Sequence, residues 1–332
     1  MQVSQVDVHD DDLLRRYWQV GRDGDAFGRP YAAFGSMSDM IMQLRDDSPA
    51  REVTGFVATD DTVVVGGSPL VCPRLDNQHL AYAEPIVRPQ SRNRGVGTAI
   101  LTAIVAAMRE RGRDTLIIEA HKPLDEETSA GWSFLSHRGF KPGILDVHRV
   151  LDLPVPADRL DELGAAAAPF HPEYQLVTWQ GVVPAEFVQG VCSLQGAFNS
   201  EAPMGELDLE PEVWTEKRLR DKEERLLAMG RVETATVALA PDGTVAALTE
   251  MMITESGRGS VFQGGTLVLR PYRGHRLGIA TKVANLRRFQ SSFPDARMVH
   301  SWNAEENGPM VAINDALGFR AVEHLAEMQL KL

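Results

Sequence analysis

The chain has 332 residues, 43% hydrophobic and 24% charged, values that let an ordinary globular protein bury its core and that suit two domains. A formal net charge of −12 excludes general nucleic-acid binding, which needs a basic face, and would draw in a cationic small molecule. No run is long and apolar enough for a membrane span, and the acidic start lacks a signal peptide's apolar core, so a cytoplasmic protein with no membrane partner is expected.

In chain order, the pattern predicts helices over 11–20 and 38–45, then strands over 52–59 and 62–70 joined at Asp60-Asp61, and a third over 78–87. A basic, glycine-bearing turn follows, then a helix to about residue 111 whose Ile100, Leu101, Ile104, Val105 and Met108 mark one apolar face. A short buried strand over 115–120, a helix over 128–137 ending at Gly139-Phe140, and a strand over 147–153 close the first half. Pro154, Pro156, the alanines at 165–168, Pro169 and Pro172 read as a connection, with a short helix at 158–163. The boundaries are therefore 1–154, a linker over 155–172, and 173–332. The second half starts with helices over 184–197 and 215–229, separated by an acidic loop at 199–212. Strands over 231–239, 245–253 and 261–269 lead to the turn Tyr272-Arg273-Gly274-His275-Arg276-Leu277-Gly278 and a helix through Phe289. A strand over 297–302, a helix over 308–317 ending at Gly318-Phe319, and a strand over 321–330 finish the chain. Cys72 and Cys192 are far apart in apolar surroundings, which suits core residues and no metal site.

Two turns carry the functional signal. A strand running through a glycine-bearing basic turn into a helix aims backbone N–H groups and the positive helix end at a phosphate. Glycine there lets the backbone approach the anion and adopt conformations closed to other residues. The turn occurs twice: Pro89 and Pro271 are 182 residues apart, Phe140 and Phe319 are 179 apart, and the order of elements between them repeats. A duplicated domain follows.

These features resemble the GNAT superfamily of N-acetyltransferases. The family signature Arg/Gln-x-x-Gly-x-Gly/Ala after a strand is matched in full by Arg92-Asn93-Arg94-Gly95-Val96-Gly97. The Gly-Phe pair closing a family helix fits Gly139-Phe140 and Gly318-Phe319. The arrangement, two such domains in tandem, is similar to that of mycothiol synthases. The resemblance implies an α/β fold (α+β mixed): two tandem GNAT-like domains, each a mixed, mostly antiparallel sheet flanked by helices. It implies direct acetyl transfer from acetyl-CoA or another acyl-CoA to a small-molecule amine in a ternary complex, with no metal, by a monomer or homodimer.

Carried over residue by residue, the first donor site is Ile86, Val87, Arg92, Arg94, Gly95, Val96, Gly97 and Thr98. The second is Val268, Leu269, Arg273, Gly274, His275, Arg276, Leu277, Gly278 and Ala280, with Asn303 and Asn307 in the loop where the family places cofactor-touching asparagines. Arg276 replaces the first signature glycine and is expected to put its charge on the pyrophosphate. His121 and His300 align at the 179 offset. Glu250 and Glu84, acids inside otherwise apolar strands, are the candidate general bases; Asn303 joins them as a catalytic candidate. The position where family members supply a tyrosine acid is Asn314 or Leu135. Glu250, Asn303 and Asn307 together favour the C-terminal copy for catalysis. Catalysis in the N-terminal copy and a non-catalytic acyl-CoA-binding module are the alternatives. An acidic loop facing the pocket would select a cationic acceptor.

Overall fold

The computed structural model describes residues 1–254 and 260–332. The first half runs β1 (Gln2–Gln5), α1 (Asp11–Asp25), α2 (Met37–Leu44), β2 (Arg51–Asp60), β3 (Val63–Pro73), β4 (Leu80–Ala83), β5 (Ile86–Val87), α3 (Val96–Glu110), β6 (Thr115–Pro123), α4 (Ala130–Ser136) and β7 (Lys141–Asp152). After α5 (Ala157–Ala167) and β8 (Gln175–Gln180) come α6 (Val188–Glu201), α7 (Glu216–Ala228), β9 (Arg231–Leu239), β10 (Val245–Thr254), β11 (Val261–Val268), α8 (Leu277–Ser292), β12 (Met298–Ala304), α9 (Gly308–Leu317) and β13 (Arg320–Lys331). β1 and β8 escape the sequence reading; β8 follows the proline-rich stretch and pairs only with β9. The connection is not a bare linker: α5 lays Leu160 against Val283 and Leu286 of α8.

The strands make one continuous sheet in the order β1-β2-β3-β4-β6-β13-β7-β12-β11-β10-β9-β8, with β5 beside β3. The last strand of each half lies in the middle, and it has been exchanged. β13 lies between β6 and β7, while β7 pairs with β12 and β13 rather than with β6. The expected closure of the first half by its own last strand is thus corrected. An unpaired β6 edge would need a cover, and β13 supplies it from the other half. A pseudo-two-fold axis passes between Asp146 and Leu325, which face each other across β7 and β13.

Alternation along these central strands divides the sheet's two faces. On one face, Ala326 and Met328 join Ile100, Ile104 and Met108 of α3 in the first core, and Leu151 and Val299 join the α8 and α9 core. The other face is covered at its flanks, by α1 and α2 at one end and α6 and α7 at the other. Between those flanks lie titratable residues.

Candidate active site

In each half one parallel strand pair separates partway along. β4 and β6 pair from Leu80–Thr115 to Ala83–Ile118, after which Glu84-Pro85 breaks the first strand. β11 and β12 pair only at Val261–Val299 and Phe262–His300, and the β11 register slips against β10 around Gly264-Gly265. A splayed pair of this kind exposes backbone to a ligand while the sheet holds both strands.

Beside each splay, the turn into the helix has the same backbone. Asn93 and Gly95 have φ of 61° and 81°; Gly274 and Arg276 have 89° and 53°. Arg92 donates to the Val87 carbonyl at 3.3 Å, and Arg273 donates likewise to Val268 at 3.1 Å. Neither α3 nor α8 has a side-chain cap, so the N–H groups of their first turns are left for a ligand. At Gly95 a Cβ would meet nothing within 4 Å, so the space an anion needs is open. Gly97 and Gly278 serve packing instead, since a Cβ there would come within 3.2 Å of Phe134 and 3.0 Å of Ile313. The residues of the first turn therefore fit the pyrophosphate of acetyl-CoA.

Arg276 does not lie over the anion position. Its guanidinium stacks on Phe170 at 3.9 Å and donates to the Ala166 carbonyl at 3.0 Å, while His275 contacts the Phe170 carbonyl. The side chain is drawn away by the segment after α5, which the expectation of a pyrophosphate contact did not include. Arg276 keeps the left-handed backbone slot that Gly95 holds in the other copy, at the cost of about 1 kcal/mol that such a conformation carries for a residue with a Cβ.

The two recesses differ in chemistry. In the first, Glu84 is an exposed residue, yet the chain around it crowds out much of its water; that loss pushes it above the ordinary carboxylate range, and the Asp25 charge adds. Its own N–H is used, donating to Ser68 Oγ at 3.0 Å. Glu119 faces Glu327 directly across β6 and β13. Enclosure, with Glu84 and Glu327 adding and Arg29 opposing, raises Glu119 to about 8. Enclosure and Asp146 raise Glu327 to about 7, and enclosure alone raises Asp146 to about 6. All stand on the same sheet face. Carboxyls with such values hold protons near neutrality and can exchange them.

In the second recess Glu250 is 7% exposed and lines a cavity of about 170 Å³ with Gln195, Phe198 and Gly265. Gln195 donates to both its oxygens at 3.1 and 3.3 Å, and the Lys222 ammonium lies 3.6 Å away. Lys222 also reaches Glu233 at 3.3 Å; burial and the Glu250 charge raise Glu233 to about 7. Asn303 accepts from Asn314 at 3.0 Å, Asn314 accepts from the fully buried Lys282 at 2.8 Å, and Asn307 caps α9. These asparagines hold their own backbone and each other. Asn314, at the tyrosine position, closes this chain.

Between the recesses runs a buried chain drawn from both halves. Arg29 donates to Glu323 at 2.7 and 2.9 Å, His148 Nδ1 is 2.8 Å from Glu323, and His148 Nε2 is 2.9 Å from His300. Burial would raise Glu323, yet hydrogen bonds from Arg29, His121 and His148 hold its carboxyl well below the usual range. Burial and His148 lower His300 to about 4 against the opposing Glu323 charge, which keeps it neutral. His121 and His300 are not equivalent by register. Leu325 has His121 beside it and Asp146 has Ala304, so Ala304 occupies the place of His121.

Glu119, Glu327, Asp146, Lys222 and Gln195 were not singled out from the sequence. Glu119 carries the signal that marked Glu84, an acid inside an apolar strand (Ile117-Ile118-Glu119-Ala120). Glu327 could not be placed, because its neighbours come from the other half.

A splayed parallel pair beside an uncapped helix and an anion-shaped turn, present twice in one sheet, defines an acyltransferase of the N-acetyltransferase fold. The model of the acetyltransferase (GNAT) family matches residues 16–131. Along its whole length the chain is similar to the tandem GNAT protein from the clavulanic acid biosynthesis pathway, solved without acetyl-CoA. The two share 26% identity over 99% of this chain and 98% of that one, with a TM-score of 0.79. It shares its fold with a GCN5-related N-acetyltransferase from Sphaerobacter thermophilus, at 13% identity over 99% and 95% of the two chains and a TM-score of 0.66. No curated protein sequence matches it. Residues 16–131 thus carry a GNAT acetyltransferase domain, and the chain as a whole has the fold of a tandem GNAT protein. No helix among the described residues is long and apolar enough to cross a membrane.

Proposed function

We propose that this protein moves an acetyl group from acetyl-CoA to an amine of a cationic small molecule, and that it does so in the first-half recess. The observation that carries this reading is the trio Glu84, in the break where β4 leaves β6, and Glu119 and Glu327, facing each other across β6 and β13, beside the full signature turn. When bound, acetyl-CoA supplies the activated acyl group. The N–H groups of Gly95, Val96 and Gly97 would hold its pyrophosphate, with Arg92 bracing the turn through the Val87 and Gly24 carbonyls.

An amine arrives as an ammonium and must lose a proton before it can attack. The carboxylates lower the energy of the cation in the recess. Glu84, raised by its enclosure, is a stronger base than an ordinary carboxylate and takes that proton. A polycationic acceptor brings a second charge beside Glu119 and Glu327, which lowers their proton affinity, so that they release the protons enclosure keeps on them and pair with that charge as carboxylates. In the second half Glu250 is already engaged by Lys222 and Gln195, which disfavours it as a free base. The cavity beside Glu250 is what favours catalysis there instead.

The test is thiol release from acetyl-CoA with spermidine and tobramycin as polycationic amines and aniline as a neutral one. Release with a polycation and not with aniline is expected. No release with either polycation, or faster release with aniline, would remove the cationic-acceptor reading.

A further inference from the structure

The segment between α6 and α7 belongs by sequence to the second half, but it is bonded to β7 and the loop before β4 of the first half and to β13, the strand inserted beside β6. The Glu206 N–H donates to the Gly143 carbonyl of β7 at 2.6 Å, beyond the last β12 partner of that strand at Asp146. The Asp208 N–H donates to Gln329 Oε1 of β13 at 2.8 Å, and Lys331 holds the Asp208 carboxylate at 2.9 Å. His79 Nε2 lies 2.9 Å from the Asp208 carbonyl, and the Glu210 N–H donates to Asn77 Oδ1 at 2.6 Å. Arg218, at the start of α7, pairs with Asp76 and with Glu212. The segment is tied at one end to β7, in its middle to β13, and at the other end to the loop before β4.

We infer that residues 204–213 of the second half are the acceptor-side wall of the first-half recess, so that the second half sets the acceptor selectivity of the first. The inference rests on the reading of the first recess as the reacting one. Its geometric basis is register. Gln329 and Glu327 are successive residues on one face of β13, about 7 Å apart at the rise of a strand. A segment crossing Gln329 therefore borders the recess at Glu327, on the face where Glu119 and Glu84 stand. Tyr82 of β4 and Gln329 of β13 stand in register on either side of Ile117, so the segment also borders the β4 side of that face; burial raises the Tyr82 phenol, and the Glu327 and Glu212 charges add.

The contact is built for closeness. Gly205 has φ of 55°, and a Cβ on it would lie 2.2 Å from the Gly143 carbonyl oxygen. A Cβ on Gly143 would in turn lie 2.4 Å from Leu207. Two glycines from different halves let the backbones touch, and Leu207 packs over that point.

Gly205→Ala should push the wall off β7, and Leu207→Ala should loosen it with less backbone strain. Both lie outside the donor turn and the carboxylate set. With spermidine as acceptor, each variant that folds is expected to raise KM at least tenfold, with kcat within threefold and acetyl-CoA Kd within twofold by calorimetry. If Gly205→Ala misfolds, Leu207→Ala alone decides. KM within twofold of wild type in the folded variants would overturn the inference, as would equal losses in KM and acetyl-CoA affinity. Glu84→Gln, run alongside, separates the two ideas. If it leaves turnover intact, the first-recess reading has failed; if it abolishes turnover while the wall variants change nothing, only the wall has failed.

Discussion

Lys282 is a buried amine whose neighbours give it little reason to be charged, and replacing it with methionine should stabilise the protein. It is 2% exposed, donates to the neutral Asn314 amide at 2.8 Å, and sits 5.4 Å from the Phe319 ring. Burial lowers its pKa from 10.5 to about 7. Each tenfold change in proton affinity is 1.36 kcal/mol, so holding this lysine inside costs about 5 kcal/mol at and below pH 7. The folded pKa lies below the unfolded one, so the unfolded chain binds the extra proton between them. Stability therefore rises as pH climbs from about 7 towards 10.5, where the cost disappears. Methionine fills similar space and removes the cost, but leaves the Asn314 oxygen without its donor, a loss of about 1–3 kcal/mol. Lys282→Met is thus expected to gain about 2–4 kcal/mol at pH 6 and to lose that advantage by pH 10. Urea unfolding of both proteins at the two pH values measures the difference. A variant less stable than wild type at pH 6, by an amount that does not change with pH, would refute the reasoning.

Gly95→Val should weaken acetyl-CoA binding at least tenfold by calorimetry, because a branched side chain would occupy the open anion space and strain a φ of 81°. Arg276→Gly should leave acetyl-CoA affinity within twofold, since Arg276 points at Phe170 rather than at the turn. Glu323→Leu leaves the Arg29 guanidinium and His148 without their buried partner, and should cost about 3–5 kcal/mol in a denaturant melt. The Glu323 carboxyl is held low in the fold, so its contribution is complete above the ordinary glutamate pKa and is lost as the pH falls below it. The difference between wild type and Glu323→Leu should accordingly shrink in acid.

The donor side of the fold was legible because its signals are local. Arg92 to Gly97 declares its turn by spacing, and the apolar stripe through Ile100, Ile104 and Met108 declares the helix that follows. The duplication was legible as well, from two landmarks at nearly one offset. Non-local features stayed hidden. Periodicity gives β7 and β13 as strands but carries no information on which edge each joins, so their exchange could not be read. With it went the facing of Glu327 on Glu119, and the constant offset that equated His121 with His300. Glu250 stands out in the sequence as an embedded acid, but the lysine that engages it comes from α7, whose packing against that strand periodicity does not give. Arg276 was recognised as the irregular residue of its turn, while Phe170, which captures it, lay in what read as connection.

The most direct test of catalysis in the first recess compares Glu84→Gln with Glu250→Gln in the same thiol-release assay. Glu84→Gln is expected to lower kcat at least a hundredfold, in the range general-base removal produces, with acetyl-CoA affinity kept and Glu250→Gln within threefold of wild type. A Glu84→Gln protein that turns over normally, beside a Glu250→Gln protein that does not, would contradict it and move the chemistry to the second half.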